Sequence, residues 1–79
     1  MKKIIIYIKC EPIKLGQLLK AEGIINSGFE AKFFLHENKV YVNNEKEDRR
    51  GRKIFFNDVI NVNNTEYLIS KENNRGQYE

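Results

Sequence analysis

The chain has 79 residues, 41% apolar and 32% charged, with 14 lysines and arginines against 11 acids and a formal charge of +3. This balance excludes a disordered polypeptide, and the length allows one small domain, near the size at which a single core suffices. The single cysteine, Cys10, has no partner for an internal disulfide, which fits a reducing compartment.

Lys2-Lys3 followed by Ile4-Ile5-Ile6-Tyr7-Ile8 imitates the start of a signal peptide. The apolar run is too short, and Lys9, Cys10, Glu11 and Pro12 stand where a cleavage site belongs. Its β-branched residues suit a buried strand from Lys3 to Lys9, ended by Pro12, which has no N–H to give a ladder. A cytoplasmic protein without a membrane partner is expected.

From Ile13 to Gly23, Leu15, Leu18 and Leu19 recur at i, i+3 and i+4, the buried face of a short helix that Gly23 can end. Ser27 is a good N-cap, and Glu30 three residues on completes the pattern of a capping box. A second helix from Gly28 to about Glu37 follows. Ala31, Phe34 and Leu35 share the face expected to pack on helix one, while Phe29, Phe33 and His36 lie roughly opposite. Either strand one or the C-terminal segment covers Phe29 and Phe33, the plainer reading, or at least one ring is offered to a base or a protein partner.

Val40-Tyr41-Val42 alternates like a strand, and Asn43-Asn44 marks a turn. Glu45 to Lys53 is a polar loop in which five of the fourteen cations fall between Lys46 and Lys53. Strands are expected at Ile54-Phe55-Phe56, at Val59 to Val62 and at Glu66 to Ile69. Asn57-Asp58 turns between the first two, and Asn63-Asn64 forms a tight hairpin before the last. Residues 1–70 are read as one domain and 71–79 as a polar, frayed tail.

Two features point to an anion. The start of helix two carries unpaired N–H groups and a partial positive charge, and Gly28 there admits close approach. Arg49, Arg50 and Arg52 present guanidiniums that bond phosphates in pairs and stack on bases, with Gly51 letting the loop bend. The plainer reading of the run is a solvated hairpin loop, partly neutralised by Glu45, Glu47 and Asp48. Lys14, Gln17 and Lys20 on helix one, and Lys32 on helix two, can extend the surface. Catalysis finds no support. His36 has no cysteine or clustered carboxylates at ligand spacing, Cys10 reads as a structural thiol, and no nucleotide-phosphate loop is present. Neither a cofactor, a metal nor a small-molecule substrate is expected.

The order of these segments resembles a known family. Leu15-Gly16-Gln17-Leu18-Leu19-Lys20, Ser27-Gly28, Ala31-Lys32-Phe33-Phe34-Leu35 and Asp48-Arg49-Arg50-Gly51-Arg52-Lys53, together with Val40-x-Val42-Asn43-Asn44 and Asp58-Val59-Ile60-x-Val62, are similar to the αL RNA-binding domain named after ribosomal protein S-four. Within that superfamily they resemble the stand-alone YaaA family over residues 13–62. The resemblance implies an α/β (α+β) fold, two short packed helices on a small, mostly antiparallel sheet. It also implies a non-catalytic protein that binds structured RNA, ribosomal RNA above all, with possible association with a ribosomal subunit. The RNA-binding residues it implies are Lys14, Gln17, Lys20, Ser27, Gly28, Lys32, Arg49, Arg50, Arg52 and Lys53. Gly28 stands where many members of the superfamily have an arginine, and Asn44 and Asn57 replace glycines common in the turns. The alternative is a protein-interaction module that docks a partner through Phe29 and Phe33.

Overall fold

Nine short elements follow one another along residues 2–72, the part of the chain that the computed structural model describes. They are β1 (Lys2–Ile8), β2 (Ile13–Lys14), α1 (Leu15–Ala21), α2 (Glu30–Glu37), β3 (Val40–Val42), β4 (Glu45–Lys46), β5 (Lys53–Ile54), β6 (Val59–Val62) and β7 (Thr65–Lys71). Five strands form one sheet in the order β1-β7-β6-β3-β4, and β2 with β5 makes a separate antiparallel pair. Every pairing is antiparallel except that of β1 with β7. The fold is therefore α+β, with a mostly antiparallel sheet.

One core joins helices and sheet. Leu15, Leu18 and Leu19 of α1 and Ala31 and Leu35 of α2 cluster with Ile6, Val40, Val42, Ile60, Val62 and Ile69 from one sheet face. Strand alternation explains the set, since residues two apart share a face. Ile54 of β5 is fully buried in the same cluster and ties the small pair to the main body.

Asparagine makes three of the turns that connect strands. Asn43 and Asn44 have φ of 51° and 69°, and Asn63 and Asn64 have 46° and 74°. Two successive left-handed residues are what a tight hairpin needs to match strand twist, and asparagine tolerates that region better than most. Asn57, at φ 73°, does the same before β6. The asparagines thus occupy the glycine positions of the turns without loss of the turn geometry.

Several expectations change. β1 is an edge strand rather than a buried one: Ile6 is its one buried residue, and Ile5 and Tyr7 are more than half exposed. It runs from Lys2 to Ile8, one residue earlier than expected. Helix two begins at Glu30, with Phe29 as its N-cap, and Ser27 makes no side-chain cap. Instead the Ser27 and Gly28 carbonyls accept the Glu30 and Ala31 amides at 3.1 and 3.2 Å, closing a tight i to i+3 turn ahead of the helix. The Glu30 carboxylate reaches back to the Asn26 amide at 3.2 Å, one residue earlier than a capping box requires. Phe34 is only partly buried against the core, whereas Leu35 is fully buried. Phe29 and Phe33 are uncovered, 75% and 61% exposed, their rings edge-on with centroids 6.1 Å apart. Phe55 and Phe56 lie beyond the two residues of β5 and are not strand. Of the expected tail, Lys71 closes β7, and residues 73–79 lie outside the described residues. No helix among the described residues is long and apolar enough to cross a membrane.

Candidate nucleic-acid interface

The basic loop is not a loose solvated hairpin. It is tied down at both ends and from beneath. Arg52 donates its amide to the Arg49 carbonyl at 3.2 Å, so Arg49-Arg50-Gly51-Arg52 is a tight turn. The first amides of α1 then reach into that turn: Leu15 donates to the Arg52 carbonyl at 2.8 Å and Gly16 to the Arg50 carbonyl at 2.9 Å. Helix starts carry such orphan donors, and here the loop backbone satisfies them.

This seating explains Gly16. A Cβ there would lie 3.2 Å from the Arg50 Cβ and 3.4 Å from both the Ala31 Cβ and the Arg50 carbonyl oxygen. The missing side chain lets the arginine turn, α1 and α2 meet at one point.

Beneath the turn sits Glu47, the one buried charged side chain among the described residues. Its amide donates to the Val40 carbonyl at 2.9 Å, which draws the residue in beside β3. Its carboxylate accepts from the Arg49 amide at 3.0 Å, from Arg49 Nε at 2.9 Å and Nη2 at 3.2 Å, and from Arg52 Nη1 at 2.7 Å. Paired guanidinium bonds of this kind fix orientation as well as charge. The Arg49 hydrogen bonds, with those of Arg52, outweigh the cost of burial and hold the Glu47 carboxyl at about 2, well below its ordinary range. The Arg49 guanidinium is in turn pushed up by its bonds to Glu47. Glu47 was legible in the sequence only as a neutralising charge; its burial comes from the tertiary position of β4.

Arg50 takes a different course. Its Nη1 donates to the Gly28 carbonyl at 3.4 Å, bridging the turn to the residues ahead of α2. Two open depressions result, meeting at Gly51. One, of about 520 Å³, is lined by Arg49, Gly51, Arg52, Lys53 and Phe55. The other, of about 270 Å³, is lined by Lys14, Gly16, Gln17, Gly28, Arg50 and Gly51. Gln17 is oriented by accepting the Lys14 amide at 3.2 Å.

Of the ten expected site residues, seven line this double depression: Lys14, Gln17, Gly28, Arg49, Arg50, Arg52 and Lys53. Lys20 and Lys32 are exposed but line neither depression, and Ser27 contributes its carbonyl to the turn before α2. The expected free amides at the start of helix two are corrected as well. Those of Glu30 and Ala31 are bonded to the Ser27 and Gly28 carbonyls. A Cβ at Gly28 would meet nothing within 4 Å, so that side of its backbone stays approachable. Phe55 was missed, because an apolar residue next to Ile54 reads as strand core. Cys10, expected as a structural thiol, is exposed just past β1.

Among the described residues, no group of three or more histidines, cysteines or acids is placed to hold a metal ion. What the surface offers is a row of oriented cations, an approachable glycine backbone and one exposed aromatic ring.

Comparison with known proteins gives a family and a relative. The family model described as the S4 domain matches residues 6–70. Over 57 residues the chain is 49% identical to a protein named probable ribosome maturation protein RlbA, from Bacillus subtilis (strain 168). That match covers 72% of this chain and 80% of the relative.

Proposed function

Because this chain belongs to the S4 domain family, we propose that it is a non-catalytic RNA-binding protein that holds structured ribosomal RNA on its arginine turn. It acts in ribosome assembly or as a ribosome-associated factor. The observation that carries this reading is the convergence of Lys14, Gln17, Gly28 and the four cations Arg49, Arg50, Arg52 and Lys53 around Gly51. Guanidiniums clamped by a buried carboxylate are poised to meet phosphates with little further ordering to do. The ribosome maturation named for the Bacillus relative supports ribosomal RNA as the partner.

The test must respect Glu47. Neutralising Arg49 and Arg52 would leave a buried carboxylate without its cations, which confounds binding with folding. Lys14, Arg50 and Lys53 carry no bond to Glu47 among the described residues and line the same surface. Replacing these three by glutamine should weaken binding to purified ribosomal RNA and reduce its log–log salt slope by about 2–3, at ~0.7–0.9 per phosphate. Glutamine at Lys2, Lys3 and Lys71 removes equal charge from β1 and β7, which line neither depression. Equal losses from the two triples would mean unspecific attraction. No loss from the first triple, with the fold intact, would remove the assignment.

A second reading is favoured by one specific observation, the exposed edge-on pair Phe29 and Phe33. In that reading the pair docks a protein partner. Ribonuclease-resistant capture of a partner that is lost on Phe29→Ala would support it. Ribonuclease-sensitive co-migration with a ribosomal subunit on a gradient supports RNA.

A further inference from the structure

Resting on the RNA-binding reading, we infer that the depression beside the arginine turn takes one unpaired nucleotide. Its base stacks on Phe55, and its phosphates lie on Arg49, Arg52 and Lys53.

The chemistry of the lining separates this site from a simple phosphate cradle. Four of its five lining residues, Arg49, Gly51, Arg52 and Lys53, supply cations or bare backbone, which any RNA backbone would satisfy. The fifth is a phenylalanine left 44% exposed. One exposed aromatic ring is ordinary by itself. A ring lining the same depression as the clamped Arg49 and Arg52 guanidiniums is a different matter, since it adds a π-face to an anion site.

Phe55 is held firmly. Its amide donates to Asp58 Oδ2 at 2.8 Å, and its carbonyl accepts the Asp58 amide at 3.1 Å. Asp58 is in turn bonded through Oδ1 to Asn43 Nδ2 at 3.1 Å, and its carbonyl accepts the Ile69 amide at 3.0 Å. Asn57, in the left-handed region, donates to the Ile69 carbonyl at 2.6 Å. The turn bearing the ring is thus pinned to the turn after β3 and to β7. On the facing side Glu47 fixes Arg49 and Arg52. Platform and clamp are both preorganised, each by its own carboxylate.

Such a platform selects the state of the nucleotide. In an A-form helix both faces of a base are covered by its neighbours, so no ring can stack on it. A bulged, looped or terminal base has a free face. Stacking is tolerant of base identity, because every base has one. The depression therefore distinguishes paired from unpaired RNA without reading sequence.

The probe is a short RNA hairpin closed at both ends by non-nucleotide linkers, so that it has no looped or open terminal base, with one bulged 2-aminopurine. It is compared with the same hairpin lacking the bulge, in one buffer of fixed salt. The wild-type protein should quench the 2-aminopurine and bind the bulged hairpin about tenfold tighter than the paired one, as one base stack commonly contributes. Phe55→Ala should lose that preference and the quenching, while the salt slope, which counts phosphate contacts, stays unchanged. Phe55→Tyr should restore both. An unchanged melting temperature of Phe55→Ala shows that the fold is intact.

Equal binding of the two hairpins by wild-type protein overturns this inference and leaves the RNA reading standing. Equal weakening of both by Phe55→Ala also overturns it. Failure of the wild-type protein to bind either hairpin or ribosomal RNA overturns both readings. Unchanged RNA affinity in Phe55→Ala, with loss of a ribonuclease-resistant partner, assigns the depression to a protein and overturns the inference as well.

Discussion

Glu47→Gln isolates the carboxylate beneath the arginine turn, because glutamine keeps its size and one acceptor but not its charge. In the folded chain the Glu47 pKa drops from its ordinary 4.5 to about 2, chiefly through the Arg49 hydrogen bonds. At about 1.4 kcal/mol per pH unit, that drop sets a ceiling of ~3 kcal/mol. The Arg49 side chain is 73% exposed, and solvent screening of such a pair reduces the figure to about 1–2 kcal/mol. The sign follows from the direction. A depressed carboxylate contributes its stability above the unfolded value, near pH 4.5, and loses it as pH falls towards 2. At pH 7 the variant should therefore melt about 5–15 °C below wild type, for a domain of this size. At pH 2 the Glu47 carboxyl is about half protonated and most of the linked stability is lost, so the gap should nearly close. Thermal melts of both proteins at pH 7, 4.5, 3 and 2, at constant ionic strength, read the difference directly. Other carboxylates titrate alike in both proteins and cancel. A gap that is absent at pH 7, or that persists unchanged to pH 2, would refute the ion-pair account of the turn.

Two further outcomes follow from the packing. Leu35→Ala should destabilise by about 2–5 kcal/mol, because Leu35 is fully buried. Phe34→Ala should cost clearly less, since Phe34 only flanks the core; urea unfolding of the two variants orders them, and a larger loss at Phe34 would reverse the helix orientation. Gly16→Ala, a change that commonly adds about 0.5–1 kcal/mol in a helix, should give no gain here. Its Cβ meets Arg50 at 3.2 Å, so the arginine turn should shift and RNA affinity should fall. A raised melting temperature with full affinity would show that the turn is not seated on α1.

Local signals in the chain were sufficient wherever the structure is local. The leucine spacing of α1, the left-handed stop at Gly23, at φ 73°, and the asparagine pairs at both hairpins need only neighbouring residues to act. The cationic face of the site was legible for the same reason, because Arg49 to Lys53 are contiguous. Ser27 misled because the capping-box pattern is necessary but not sufficient. Gly28 and Phe29 close a tight turn instead, and Glu30 bonds the Asn26 amide. Phe29 and Phe33 could be assigned a cover only by knowing where β1 and β7 lie, and those strands stand elsewhere in the sheet. Glu47 and Phe55 exchange the places their chemistry suggests, the acid inside and the ring outside. Both reversals are set beyond the neighbouring residues: Glu47 bonds Val40 seven positions back, and the turn that Asp58 closes on Phe55 is held to Asn43 and Ile69 through Asp58 and Asn57.

The parallel pairing of β1 with β7 has a consequence for the birth of the chain. Each residue of β1 finds its partner 63 positions later, from Lys2 with Thr65 to Ile8 with Lys71. The other large ladder, β6 with β7, closes across a two-residue turn at Asn63-Asn64 and can form as soon as its residues are free. At synthesis rates of about 5–20 residues per second, β1 emerges on the order of 3–13 s before β7. Throughout that interval five consecutive apolar residues, Ile4 to Ile8, have β-propensity and no mate. Lys2 and Lys3 stand directly ahead of them, charges of the kind that discourage such a segment from pairing with a stranger. The two lysines that play no part in the proposed RNA surface thus guard the nascent strand until its own partner arrives.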